Sequence, residues 1–225
     1  MGFFSSIGSA ISSGFSAAVS VVSTTLSSIG KFAVEIAPKI AGQLGTVGLV
    51  IQAIATIVGL FNADEKVEEM GDRAMQASES GIRPENFDSF DEYMDSIRDF
   101  DLDPEKSKSY SPEAKKIAGI GIACKGIEDK FQLQSGAMGA MTVLVASNPD
   151  YFNSERVSNW LQTGVDIANV VGYFDKKLSA GENVDVIDEM VKAEKNISEN
   201  SDQDIYTEIL NTKDELYQSI EKDND

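Results

Sequence analysis

The 225-residue chain contains no histidine and a single cysteine, Cys124. The lack of histidine excludes Ser-His-Asp and Cys-His catalytic sites, a histidine general base and nearly every common zinc site. One cysteine excludes an internal disulfide framework. Basic residues are also scarce, since 19 Lys and Arg stand against 37 Asp and Glu, for a net charge of −18. Phosphate backbones repel such a polyanion, so we expect no nucleic-acid partner.

Charge is nearly absent from the first quarter of the chain. Residues 1–63 contain only three ionisable side chains and carry a net charge of +1, whereas residues 64–225 carry a net charge of −19. Such an asymmetry between chain segments indicates different surroundings for the two parts. We therefore divide the chain into an uncharged Ser/Gly-rich segment, residues 1–63, and an acidic helical domain, residues 64–225.

The apolar residues of the uncharged segment recur at steps of three and four from Phe4 to Val58, which predicts helix. A serine stripe runs opposite them. Serine and glycine are weak helix formers in water, but in an apolar setting serine hydroxyls can bond to carbonyls one turn earlier. Large apolar residues opposite a Ser/Thr/Gly face resemble the amphipathic lipid-packing sensors of membrane interfaces. The segment is thus predicted to form membrane-active amphipathic helices or a core hairpin.

Two sets of side chains follow from this helical pattern. The residues expected to contact a membrane are Phe3, Phe4, Ile7, Ile11, Phe15, Val22, Leu44, Val47, Ile51 and Val58. The serines that would line a water-filled pore are Ser5, Ser9, Ser12, Ser16 and Ser20. The same serine stripe would also suit the packing face of a soluble hairpin or the wet face of an interfacial helix.

Ile40 to Ala63 is an uncharged run of 24 residues. As a helix it would measure about 36 Å, against about 30 Å for the hydrocarbon core of a bilayer. Pro38 lies just upstream and is predicted to break or kink the junction. The N-terminus lacks the positive region of a secretory signal, so we expect no cleaved signal peptide.

The acidic domain has helix-start signals at Asp88 or Ser89, at Ser111-Pro112, at Ser154 and at Ser201, and no strand alternation. The predicted class is all-α, with the apolar N-terminal helices beside an acidic helical bundle. One helix is predicted from Pro112 to Ser147 and another from Ser154 to Phe174, with Gly181 separating the latter from the next. The apolar stretch 117–147 would be either a buried central helix or a second membrane-competent hairpin.

No pattern indicates an enzyme. Asp99, Asp101 and Asp103 have the spacing of a calcium loop, but Pro104 takes the position that needs glycine. No phosphate-binding or dinucleotide-binding loop is present. Cys124 lies among apolar residues, as an inert buried thiol does. We therefore expect no catalytic residue, no cofactor and no metal ligand.

Glycine-rich apolar helices, an absent signal peptide and an adjoining polar helical part give the chain an organisation similar to that of small ion-conducting toxins. Bacteria deliver these pore-forming effectors through contact-dependent secretion systems. The resemblance implies membrane association after delivery, a lipid bilayer as target and a homo-oligomeric pore with serines facing water. It also implies a cationic immunity protein or chaperone as partner, and an acidic domain that anionic headgroups keep outside.

A structural or assembly role is the alternative. The Met-Gly start and the small-residue-rich apolar N-terminus resemble those of polyomavirus minor capsid proteins, although the basic nucleic-acid-binding tail of that family is absent. In this case the N-terminal helices would pack against partner subunits of a larger complex, such as a virion, in an intermolecular bundle.

Overall fold

The computed structural model describes residues 2–6 and 11–223, and every regular element in these ranges is helical. The predicted all-α class is confirmed. The α-helices are α1 (Phe3–Ser6), α2 (Ser13–Thr25), α3 (Leu44–Ile57), α4 (Val67–Glu79), α5 (Phe90–Arg98), α6 (Pro104–Ser109), α7 (Pro112–Lys130), α8 (Ala137–Ser147), α9 (Ser154–Thr163), α10 (Ile167–Phe174), α11 (Ala180–Glu194) and α12 (Asp202–Asp223). Short 3-10 turns lie at Ser27–Ile29 and Pro84–Asn86.

Helix α7 is the centre of the fold. The Ser111 hydroxyl caps its first turn by accepting from the Ala114 N–H, and Pro112 occupies the first helical position. Every residue from 117 to 124 is buried. Helices α2, α3, α4 and α8 pack around it, because a helix that is apolar on all sides can be stable in water only when neighbours cover all of it.

Two glycines let α4 and α7 approach each other closely. A Cβ atom on Gly119 would lie 1.8 Å from the Val67 carbonyl oxygen, and one on Gly71 would lie 1.9 Å from the Lys115 carbonyl oxygen. Both distances are far shorter than any real contact of a Cβ atom. The crossing of these two helices therefore requires glycine at both positions.

A buried ion pair flanks this crossing. Lys115 of α7 lies 2.9 Å from Asp72 of α4, which also accepts hydrogen bonds from Gln76 and Ser107. Burial by itself would raise the pKa of Asp72. Hydrogen bonds from Ser107, Lys115 and Gln76 to the charged form outweigh burial and hold the pKa below its ordinary value.

Helix α3 is the C-terminal part of a longer helix that runs continuously from Phe32 to Ile57. It is wound as a π-helix over Phe32–Ile36, as a 3-10 helix over Ala37–Gln43 and as an α-helix thereafter. Of the two outcomes predicted at Pro38, a break or a kink, the break does not occur; the winding of the helix changes around this residue instead, which accommodates the missing N–H of proline. We call Phe32–Ile57 the long helix.

Two predicted helices are each divided in the structure. The helix expected from Pro112 to Ser147 is interrupted between α7 and α8, where Gln132 and Gly136 adopt left-handed backbone conformations. The helix expected from Ser154 to Phe174 ends at Gly164, at φ +80°, before Asp166 caps α10. In both cases a residue of positive φ ends a helix whose apolar period continues beyond it.

The predicted helix starts at Ser89, Ser111 and Ser201 are confirmed, since each hydroxyl accepts from a backbone N–H three residues later. At the fourth predicted start, α9 begins at Ser154 as expected, but the residue whose side chain caps the helix is Asn153. The separation predicted at Gly181 is wrong, because this glycine lies within α11. The break is instead just before Ser179, which forms a capping box at the start of that helix.

Side chains from residues 1–63 and from residues 64–225 share one hydrophobic core. Val22 of α2 and Ile51 of α3 are fully buried, as is Ile120 of α7, against which both helices pack. The change of composition at residue 63 falls in the turn between α3 and α4. It therefore marks a change in the charge of the surface, while both parts of the chain contribute to the same core.

Candidate functional site

The side chains predicted to contact a membrane mostly point into the helical core. Seven of them are buried, namely Phe3, Phe15, Val22, Leu44, Val47, Ile51 and Val58. Phe4 is half-buried, Ile11 is exposed, and Ile7 lies outside the described residues. In this fold the apolar stripe therefore serves packing between helices. Contact of the seven with lipid would require α2 and the long helix to separate from α7.

The serine stripe faces outward where the structure describes it. The side chains of Ser12, Ser16 and Ser20 are exposed. Ser9 lies outside the described residues, and of Ser5 only the backbone is described. The monomer therefore encloses no serine-lined pore within its described part, and such a pore would need several copies of α2.

Several hydroxyls of α2 form hydrogen bonds to the backbone of their own helix. Ser12 caps the helix by accepting from the Phe15 N–H. Ser16 donates to the Ser12 carbonyl, and Thr24 donates to the Ser20 carbonyl at 2.9 Å. Because these hydroxyls bond within their own helix, α2 can enter an apolar environment without leaving those donors unpaired.

From Ile40 onward the outward face of the long helix carries no charged side chain; nearer the N-terminus it carries Glu35, whose side chain is 59% exposed. Leu49 is 69% exposed, Val34 57% and Ile57 50%. Only 39% of the most apolar stretch of this helix is buried. Surface helices of a protein with a net charge of −18 normally carry charged residues on this side. We call the outward residues of positions 40–57 of the long helix, together with those of α2, the uncharged surface.

The exposed apolar residues that the long helix contributes to this surface were not singled out by sequence analysis. The apolar period identified the inward stripe, which contains Val47 and Ile51, and left Leu49 and Ile57 unassigned. The available signal was that residues 40–63 are mostly apolar and carry no charge on any side. A helix of this composition has a second apolar face in addition to the one that packs in the core.

Polar contacts fasten the C-terminal end of the long helix to the acidic helices. The Gln52 side-chain oxygen accepts from the Val67 N–H at 3.0 Å, at the start of α4. Arg98 of α5 donates to the Leu60 carbonyl at 2.7 Å and to Glu65 at 2.7 Å. These bonds hold α3 against α4 and α5, so any movement of the long helix away from the bundle must break them.

The Arg98–Glu65 ion pair is half-buried, with the Glu65 side chain 14% exposed. Burial alone would raise the pKa of Glu65. Hydrogen bonds from Arg98 and from the Asn62 backbone N–H outweigh burial, so the pKa lies below its ordinary value. Glu65 is therefore charged at neutral pH, and its protonation in acid would weaken this attachment.

The N-terminal residues attach to the C-terminal helices of the acidic domain. The Phe4 N–H donates to the buried Asp175 carboxylate at 2.8 Å, at the end of α10. The Phe3 ring is buried edge-on against Tyr217 of α12. Asp175 also pairs with Lys177. The expected membrane contacts Phe3 and Phe4 thus join α1 to the C-terminal helices in this fold.

Cys124 lies under the first turns of the long helix. Together with Phe32 and Ile36 it borders a cavity of about 480 Å³ between the long helix, α7 and α8. Burial, with Glu128 nearby, raises the pKa of the Cys124 thiol well above its ordinary value. The thiol is therefore unreactive as long as the long helix covers it.

Comparison with models of known protein families, with characterised proteins and with solved structures gives no significant match. Functional conclusions therefore depend on the geometry of this chain. Within residues 2–6 and 11–223, no group of three or more His, Cys, Asp or Glu side chains is placed to hold a metal ion. In the same ranges one helix, Phe32–Ile57, is long and apolar enough to cross a membrane.

Proposed function

We propose that this protein is a membrane-inserting helical protein that forms pores in a target bilayer. In water α2 and the long helix pack on α7, and the uncharged surface makes the first contact with lipid. The two helices then leave α7 and insert, while the acidic helices stay outside because anionic headgroups repel them. The observation that supports this proposal is the half-buried long helix, whose outward face from Ile40 onward carries no charge and exposes Leu49 and Ile57.

The free energy lost when the long helix leaves the protein core can be compared with the free energy gained when it enters a bilayer. The large buried side chains of the long helix and of the residue that caps its C-terminus are Ile40, Leu44, Val47, Ile51, Ile54 and Val58. At about 1.5–3 kcal/mol each, their exposure to water would cost about 9–18 kcal/mol. Transfer into hydrocarbon removes this cost, since the same side chains are again out of water. The helix is therefore stable in the core or in the bilayer, and unstable between them.

Pore formation requires several copies. In such an assembly Ser12, Ser16 and Ser20 would face water and the apolar stripe would face lipid. Neutral hydroxyls give weak ion selectivity, and acidic residues near the mouth would favour cations. With its acidic domain, the protein would suit a cationic immunity protein or chaperone as a partner before delivery.

Flotation with lipid vesicles tests the first step. The full chain should float with phosphatidylcholine vesicles, and Leu49→Asp should abolish flotation by placing a charge on the uncharged surface. Val184→Asp is the matched control, because Val184 is 58% exposed on α11, away from this surface, and the charge change is identical. Wild-type protein that stays with the aqueous fraction, or equal flotation of both variants, contradicts the proposal.

Cys124 reports whether binding proceeds to insertion. If the long helix leaves α7, an uncharged maleimide that dissolves in membranes should modify this thiol much faster with vesicles than without them. Surface adsorption of an unchanged fold would leave the rate unaltered. In planar bilayers, wild-type protein should produce conductance steps that Leu49→Asp abolishes. Leu49 is the better test position than Ile51, where a buried aspartate would unfold the protein.

An assembly role is a second candidate. It is favoured by the exposed glycines Gly42 and Gly45, around which a Cβ atom would meet nothing within 4 Å. Small residues of this kind let a helix of another subunit approach closely. A stable oligomer in detergent-free buffer that does not float with vesicles, and that Leu49→Asp dissociates, would support this role over membrane insertion.

A further inference from the structure

We infer that α1 and the glycine before it form a releasable anchor, whose detachment from α10 and α12 lets residues 3–25 cross a bilayer as one helix. We call residues 2–4 the N-terminal anchor. The inference rests on the proposed function and adds the step that controls insertion. It is carried by three sets of contacts and by the length of α2.

The Phe3 side chain is the most deeply buried part of the N-terminal anchor. Phe3 is 1% exposed, and its ring packs edge-on against Tyr217 of α12, with 6.2 Å between the ring centroids. The Tyr217 hydroxyl also interacts with the Phe3 backbone, and it donates to the Phe174 carbonyl at the end of α10. One tyrosine therefore holds the anchor through both its ring and its hydroxyl group.

A buried carboxylate holds the backbone of the anchor. Asp175 is 1% exposed, accepts a hydrogen bond from the Phe4 N–H at 2.8 Å and forms an ion pair with Lys177. A Cβ atom on Gly2 would lie 2.7 Å from the Asp175 Oδ1 atom, which is closer than any normal contact. Because Phe4 and Lys177 fix this carboxylate, a side chain at position 2 would push the anchor away from it.

The anchor also joins the long helix to the helices that stay in water. The Lys39 ammonium group lies 5.8 Å from the centroid of the Phe4 ring, and the Lys177 ammonium group lies 6.0 Å from the same centroid. Cations at about this distance are attracted to an aromatic ring. Lys39 belongs to the long helix and Lys177 to the loop after α10, so separation of the long helix from the bundle must break this contact.

The length of α2 explains why the anchor must detach. Ser13–Thr25 contains 13 residues and measures about 20 Å, against about 30 Å for the hydrocarbon core of a bilayer. Addition of all residues back to position 7 gives about 28 Å, which is still short and leaves nothing to reach a docked anchor. The stretch 3–25 would measure about 35 Å as a helix and contains no ionisable side chain. Its apolar residues keep steps of three and four from Phe4 to Phe15.

Removal of the tyrosine that holds the anchor tests the inference in the full chain. Tyr217→Ala changes no residue that inserts. It should speed hydrogen exchange of the Phe4 amide in buffer, and with phosphatidylcholine vesicles it should make maleimide modification of Cys124 about tenfold faster. The matched control is Tyr206→Ala, the same substitution about 17 Å away along α12, where Tyr206 is 39% exposed. It should change neither rate.

Two further variants separate release of the anchor from damage to the bundle. Gly2→Val displaces the anchor from Asp175 without altering α10 or α12, so it should produce both effects of Tyr217→Ala. It decides the question if Tyr217→Ala also modifies Cys124 rapidly without vesicles. Deletion of residues 3–11 frees the chain but leaves about 24 Å of helix before residue 26. This variant should float with vesicles and produce no conductance steps.

The results distinguish this inference from the proposed function. If wild-type protein neither floats with vesicles nor shows faster modification of Cys124 in their presence, the proposed function is wrong and the inference with it. If wild type does both, but Gly2→Val inserts no faster than Tyr206→Ala, the anchor does not control insertion and the inference alone is overturned. Wild-type conductance from the deletion variant would also overturn it, because residues 3–11 would then not be needed to cross.

Discussion

Shortening Ile120 to alanine should release the long helix without changing any residue that inserts. Ile120 is fully buried on α7, and its Cδ1 atom lies 3.8 Å from where a Cβ atom on Gly48 of α3 would be. Truncation of a buried isoleucine costs about 2–5 kcal/mol in stability. If the lost stability is that of the contact between α7 and α3, the lower value of about 2 kcal/mol makes the state with the long helix released about 30-fold more populated than in wild type.

The assay combines flotation with urea unfolding. Ile120→Ala should lower the urea midpoint and raise partitioning into phosphatidylcholine vesicles at least about tenfold. Ile187→Ala is the control, since Ile187 is also buried but lies on α11, which packs against α9, α10 and α12. It should lower the midpoint similarly and leave partitioning much less affected. Equal partitioning of the two variants would refute specific release and would indicate general unfolding at the membrane.

Two further predictions concern the fold and its response to acid. Gly119→Ala should prevent folding, because the new Cβ atom would overlap the Val67 carbonyl. Gly45→Ala, where the new Cβ atom meets open space, should raise the melting temperature, because glycine is a weaker helix former than alanine. Circular dichroism measures both effects. The lowered pKa values of Glu65 and Asp72 mean that their stabilisation is complete at neutral pH and is lost as the pH falls below about 4. Glu65→Gln/Asp72→Asn should thus be less stable at neutral pH and lose less stability on acidification, as urea midpoints at both pH values would show.

Several features of the fold could be predicted from local sequence. At the helix starts Ser89, Ser111 and Ser201, the serine hydroxyl accepts a hydrogen bond from the backbone N–H three residues later. Both groups lie within one helical turn, so the local sequence is enough to predict the cap. The stripe that contains Val22, Val47 and Ile51 was also evident from its period. Its environment was not, because a side chain gains about the same free energy by leaving water for a protein core as for lipid.

The outward surface shows the limit of this reasoning. Leu49 and Ile57 became exposed only because α7 covers the opposite side of their helix, and no local signal distinguishes which of two apolar sides a neighbour will cover. The continuation of the helix through Pro38 likewise depends on winding that packing can impose and sequence period cannot show.

The sequence by itself determined the helical class, the uncharged composition of residues 1–63 and the acidic charge of the remainder, because these follow from residue types and their spacing. The tertiary structure decided which side of each apolar helix is buried. It also brought Asp175 against α1 and placed Arg98 against the end of the apolar run, residues far apart in the chain. Such contacts arise from helix packing, in which shape complementarity between distant segments selects one arrangement among many of similar hydrophobicity.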